Sequence, residues 1–207
     1  QVLDLVGGFG SLLLGHNHPD LVGEAQGLLG SGRPIHSQGS NRDYAQRLAA
    51  KLSQRATGDY AAVFGNSGTE AVEIALKHVL LQSKARNIIA LEWAFHCKTH
   101  AALPITRQSY YRDAFPFDRV SVLHVRPNDL ESLEAAFSEA RPDVAAFIFE
   151  PVLGEGGVLP LTREFTRRAA QLCHKHHAAL IVDECQTGVG RTGHFLASES
   201  LRVEPDY

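Results

Sequence analysis

Two spacings of apolar residues take turns along this chain. Between Asn41 and Arg55 they recur every fourth position, with Tyr44, Leu48 and Leu52 on one face and Arg47 and Lys51 off it. That spacing predicts an amphipathic helix. The same period returns in Gly68–Leu81 (Ala71, Ile74, Ala75, His78, Val79), in Leu130–Ala140 (Leu130, Leu133, Ala136, Phe137) and in Glu164–His177 (Phe165, Ala169, Leu172, Cys173, His176). Asp20–Leu29 reads as a further helix, entered through Pro19. Short, nearly unbroken apolar runs lie between the helices: Tyr60–Phe64, Asn87–Leu91, Val120–Val125, Val144–Phe149 and Leu180–Val182. Runs of this length predict strands buried on both faces. The opening, DLVGGFGSLLLGHNHP, is glycine-rich and apolar and reads as a short strand and loop.

Strands alternating with helices imply an α/β fold, a three-layer, mostly parallel sheet with helices on both faces. In such sheets ligands bind at the carboxyl ends of the strands. Polar clusters fall there: Gly65–Thr69 after one strand, Glu150-Pro151 after another, Asp183-Glu184 after a third.

Composition narrows the function classes. With 207 residues the chain can form one domain with a sizeable core. A formal net charge of -3 gives no attraction for nucleic acid or an anionic membrane. No apolar run approaches the roughly 20 residues that span a bilayer, and the first residues resemble neither a secretory leader nor a transit peptide. Cys97, Cys173 and Cys185 are odd in number and scattered, which argues against a disulfide framework or zinc site and for a reducing, cytoplasmic compartment. His174 and His177 are neighbours on a helix without an acidic or Cys partner at ligand spacing, and His16 and His18 are similarly weak, so no metal is expected. The chain has no methionine and stops abruptly at Tyr207, features expected of a piece of a longer protein.

The candidate chemistry gathers at the strand ends. Ser67 and Glu70 have capping-box spacing, and the same turn aims free N–H groups at an anion. It is not the G-x-S-x-G elbow of a serine hydrolase, since Thr69 takes the last place. The strand end at Asp183-Glu184 looks like a Walker B segment, but no G-x-x-x-x-G-K-[ST] loop accompanies it. A strand-end carboxylate can instead hold a protonated ring nitrogen. Pyridoxal phosphate needs that, together with a helix N-terminus for its phosphate, an aromatic for its face and a donor for its phenolic oxygen. Asp183, Gly68-Thr69, Phe95 and Gln186 offer one of each.

On these residues the chain resembles the class III, or omega, aminotransferases of fold type I. LGHNHPDLV is similar to the family's LGHxHP segment, NSGTEAVEIALK to NSGxEAxExAxK, and FHCKTHAAL to (F/Y)HGRTxxAL; FEPVLGEGGV and LIVDECQTGVGRTG are the most specific matches. The resemblance covers nearly the whole chain. It implies that Asp183 pairs with the pyridinium nitrogen, Gln186 with the phenolic oxygen, and Ser67, Gly68 and Thr69 with the phosphate. Phe95 would stack on the ring with His96 beside it, Glu150 would support the site, Glu155 would switch between amino-acid substrates, and Glu184 would stand behind them. Residues 1–38 would belong with the small domain and substrate entrance, and 39–207 to an incomplete large cofactor-binding domain. The partners implied are an amino donor, a carbonyl acceptor and a second copy of the chain in a homodimer.

Departures from the family pattern are Cys97 and Lys98 where Gly-Arg is usual, and Cys185 where an apolar residue is common. The lysine that holds the cofactor covalently follows the family's PDxxxxxK segment, which here begins at Pro205-Asp206-Tyr207. Lys77, Lys98 and Lys175 do not fit its place, so this length of chain is expected to be inactive alone. Two other readings stay open: an aminomutase, racemase or decarboxylase on the same scaffold, and a lysine-less binding module.

Overall fold

The computed structural model describes residues 2–34, 43–56, 59–107, 109–112, 121–140 and 143–207. Its centre is a four-stranded parallel sheet of β1 (Asn87–Leu91), β2 (Ser121–Val125), β3 (Val144–Phe149) and β6 (Ala179–Val182), in the order β2-β1-β3-β6. Alternate residues of these strands face opposite layers. Ile89, Leu91, Phe147, Phe149, Leu180 and Val182 pack against α5 (Leu130–Glu139) and α6 (Arg163–His176). Ile88, Ala90, Ala146, Ile148 and Ile181 pack beneath α3 (Gly68–Gln82). Burial on both sides is why these strands read as unbroken apolar runs. The α/β expectation is met.

The helices begin where side chains satisfy their first N–H groups. Ser67 Oγ accepts from Glu70 N at 3.2 Å, Asp129 Oδ1 from Ser132 N at 3.0 Å, and Thr162 Oγ1 from Phe165 N at 3.2 Å. α6 ends at His177, whose left-handed backbone (φ 53°) returns its N–H to Cys173 and His174 carbonyls.

Two predicted strands are absent. Tyr60–Phe64 finds no ladder; Val63 and Phe64 are 71% and 44% exposed. The opening segment turns instead, because Gly7, Gly8, Phe9 and Gly10 all have positive φ, which a strand excludes. The sequence also gave no sign of α4 (Ser109–Arg112), the hairpin of β4 (Val152–Leu153) and β5 (Leu159–Pro160), or α7 (Ala197–Leu201). α1 (Pro19–Gly30) and α2 (Asp43–Arg55) form as predicted, yet neither has a buried residue. Val120, Asn41 and the expected domain boundary at 38/39 lie outside the described residues. No helix of the described residues is long and apolar enough to cross a membrane.

Candidate active site

β1 leads on to β2 at one edge, and the chain then returns to β3 on the other side of β1. This reversal opens a crevice at the carboxyl ends of β1 and β3. Phe95 and His96 follow β1, Glu150 follows β3, and Asp183 follows β6 beside it. The parallel ladder continues one step past β6, where Asp183 N donates to Phe149 O at 2.8 Å. The Asp183 side chain is thereby carried into the crevice.

Asp183 is 6% exposed at its side chain, and Oδ2 lies 2.8 Å from His96 Nδ1. Oδ1 accepts the N–H of Cys185 at 3.1 Å. Burial opposes the charge, but the His96 hydrogen bond and charge, with Cys185, outweigh it and hold the carboxyl below its ordinary range. His96 is fully buried, its N–H fixed on Thr106 Oγ1 at 2.9 Å. A carboxylate facing Nδ1 places a proton on that nitrogen, and Nε2 has no hydrogen-bond partner among the described residues. An orphaned buried nitrogen beside a held carboxylate marks a place for a polar ligand.

Glu150 is 5% exposed and accepts Phe95 N at 2.9 Å and Gly154 N at 3.2 Å. Burial pushes its carboxyl above the ordinary value, against the pull of His96 and these two N–H groups. The Gln186 side chain packs over Gly154: a Cβ there would overlap Gln186 Oε1 and move the amide. Glu155 is exposed and shares a cavity of about 310 Å³ with Gln186, Arg191, Val6, Phe9 and Gly10. Arg191 Nη2 donates to Gly10 O at 2.8 Å and so joins the N-terminal turn to this wall.

At the start of α3, Ser67 Oγ takes Glu70 N while Glu70 Oε2 takes Asn66 N. The N–H groups of Gly68 and Thr69 keep no partner among the described residues. The donor set therefore fits pyridoxal phosphate: two free helix N–H groups and a hydroxyl for the phosphate, an ionised carboxylate for the ring nitrogen, and a free side-chain amide in Gln186. Among the described residues no cluster of metal ligands occurs.

Glu184 belongs elsewhere. Its carboxylate accepts the N–H groups of Ala197 at 2.6 Å and Ser198 at 2.9 Å and caps α7. Sequence reasoning did not single out Arg191, Thr106 or Tyr111, whose ring lies 5.7 Å from Phe95 and 4.7 Å from Lys98 Nζ. The signal for Arg191 was its place in GRTG; the other two carry none beyond residue type.

A parallel α/β sheet with such a strand-end cleft defines a ligand-binding enzyme scaffold. Residues 1–207 match the family model Aminotransferase class-III. The chain belongs to the class-III aminotransferase family. It is similar to a Pyrococcus furiosus protein named for LysW-aminoadipate semialdehyde/glutamate semialdehyde transaminase, 40% identical over 208 residues, covering 100% of this chain and 55% of that protein. The acetylornithine aminotransferase of Vibrio parahaemolyticus is 37% identical over 214 residues, covering 100% and 51%. Ornithine aminotransferase from Toxoplasma gondii, crystallised with oxidised glutathione and partly occupied by pyridoxal phosphate, superposes with a TM-score of 0.86 at 28% identity, covering 97% of this chain and 49% of its own. The chain spans about half the length of the curated relatives it matches.

Proposed function

We propose that the protein is a pyridoxal phosphate-dependent aminotransferase that passes an amino group from an amino acid or amine to a keto acid or aldehyde, the two taking turns at one site. One observation carries this reading. A buried carboxylate, Asp183, is kept ionised beside an orphaned histidine nitrogen in the crevice. Family membership supports the reaction class.

Bound there, pyridoxal phosphate would supply an electron sink for the bond broken at the substrate's α-carbon. Asp183 holds a proton on the ring nitrogen, because a fixed negative charge raises that nitrogen's pKa. His96, through Nδ1, fixes the carboxylate's orientation. Gln186 donates its amide to the phenolic oxygen. The Ser67 hydroxyl and the N–H groups of Gly68 and Thr69 take the phosphate at the positive end of α3. Phe95 covers a ring face, and Glu150 supports it by holding Phe95 N and Gly154 N. Glu155, at the open wall, selects between substrates. Residues 1–38 serve the substrate entrance and small domain, and 39–207 the cofactor domain. A homodimer in the cytoplasm is the assembly and location this reading implies.

The full protein, given pyridoxal phosphate and paired amino donors and keto acids, should bind the cofactor and transfer amino groups with ping-pong kinetics. Cofactor binding with racemisation, decarboxylation or internal amino migration instead would replace the reaction proposed. Failure to bind the cofactor would end the reading.

A further inference from the structure

We infer that Thr106 is a positioning residue of the proposed reaction: its hydroxyl braces the turn after β1 so that His96 holds Asp183 in place. The inference rests on the function proposed above. Thr106 Oγ1 accepts His96 N–H at 2.9 Å and donates to Cys97 O at 2.8 Å. Both directions are forced, because a backbone N–H only donates and a carbonyl only accepts. One hydroxyl thus spans His96 and Cys97 from the first N–H to the second carbonyl. Between those two groups lies the Cys97 N–Cα bond, held left-handed at φ 76°. A residue with a Cβ keeps that conformation only where its surroundings impose it. The family pattern has glycine there, which adopts it freely. With Cys97, this chain depends on the brace more than a glycine-bearing relative would. Thr106 and His96 are both fully buried, so water does not stand in for the hydroxyl.

The brace is itself anchored. Arg107 N donates to Ala94 O at 3.1 Å and closes the loop between them. Thr106 N donates to Ala102 O and Leu103 O, both at 3.2 Å. Within that loop, Glu73 Oε1 accepts from Thr99 Oγ1 at 2.6 Å, Ala101 N at 2.9 Å and Ala102 N at 3.2 Å. Glu73 belongs to α3, whose first residues form the phosphate cradle. The far end of the brace is His96, whose Nδ1 lies 2.8 Å from Asp183 Oδ2. The loop therefore sets the ring-nitrogen carboxylate against the phosphate cradle, and Thr106 is its hold on His96. Phe95, next to His96, is held separately by Glu150. Thr106 acts through His96 and not on the reacting atoms, so its loss should lower turnover without changing which donors bind.

The test compares Thr106→Val, which keeps the shape and loses the hydroxyl, with Thr106→Ser, which keeps both hydrogen bonds. The cofactor-free full protein, carrying isotope-labelled histidine, is first studied by NMR. Wild type should show a slowly exchanging imidazole N–H resonance that is absent in His96→Asn. Thr106→Val should broaden or abolish it, and Thr106→Ser should keep it. With pyridoxal phosphate bound, Thr106→Val should lower kcat about 10- to 100-fold for every donor, the range for a misplaced group, with KM near wild type. Thr106→Ser should restore kcat. In Asp183→Asn, adding Thr106→Val should cost much less than it costs alone, because both changes act on one contact. Should Thr106→Val not fold, Thr106→Ala takes its place, and Thr106→Ser must in either case keep the resonance and kcat. An unchanged resonance or kcat in the variant without the hydroxyl, a loss of either in Thr106→Ser, or losses that multiply in full with Asp183→Asn would overturn this inference alone. A wild-type protein that transfers no amino group would end the function proposed and this inference with it.

Discussion

The carboxyl edge of the sheet and the N-terminal turn meet at one cavity but are built in opposite ways. On the edge, Phe149 and His96 are fully buried, and both oxygens of Asp183 and of Glu150 have named partners. At the turn, Val6 and Phe9 are 62% and 77% exposed, and Gly7, Gly8, Phe9 and Gly10 hold left-handed backbone. The difference teaches where precision is needed. A group that must hold a charge is fixed before ligand arrives, since preorganised dipoles in a dry site need no rearrangement. A wall that meets variable substrates can stay open.

The largest effect should come from the fixed half. Asp183→Asn removes the charge that holds the ring proton. Amino transfer by the full protein should fall about 10²- to 10⁴-fold, the span for a lost proton-handling group. The same variant tests the electrostatics. Asp183 is held below its ordinary value of 3.8, so its stabilising contribution is present above the unfolded value and lost as pH falls through the folded one. Denaturation midpoints below about pH 4 should therefore drop more steeply for the wild type than for the variant. Equal slopes would mean that Asp183 is not held ionised.

Next comes packing beneath the site. Phe149 is fully buried and ends β3 one residue before Glu150. Phe149→Ala should cost about 3–5 kcal/mol, read by chemical denaturation. A loss below 1 kcal/mol would remove the claim that burial fixes this edge. Gly154→Ala should act more locally. The new Cβ would overlap Gln186 Oε1, so the amide must swing away. Amino transfer should fall about 10- to 100-fold, the range for a misplaced group, with little change in melting temperature. Unchanged turnover would show that Gln186 does not touch the cofactor.

The sequence disclosed this contrast unevenly. Helix periods are local, so α1, α2, α3, α5 and α6 could be read to within a residue or two wherever they are described. β1, β3 and β6 were legible because burial on both faces leaves continuous apolar runs. Tyr60–Phe64 has the same look but pairs with no strand among the described residues, and pairing is not a local property. Gly68, Asp183 and Gln186 could be nominated from residue type and place. The His96–Asp183 pair could not, since its members are 87 residues apart. Nor could the opposed fates of Asp183 and Glu184. One enters the crevice while the other caps a five-residue helix that has no marked period.

The smallest effect should come from the open half. Phe9 lies in a run of four left-handed residues and is 77% exposed. Removing an exposed ring opens no core cavity, so Phe9→Ala should change stability by no more than about 0.5 kcal/mol. The Arg191 hydrogen bond goes to the Gly10 carbonyl, not to the Phe9 side chain, so the turn itself should survive. If this wall meets substrate, the variant should change KM for bulky amino donors and leave both kcat and cofactor affinity near wild type. Asp183→Asn should do the reverse, lowering kcat for every donor alike. A Phe9→Ala enzyme that lost cofactor or turnover would show that the turn belongs to the fixed half, and the division between the two regions would have to be redrawn.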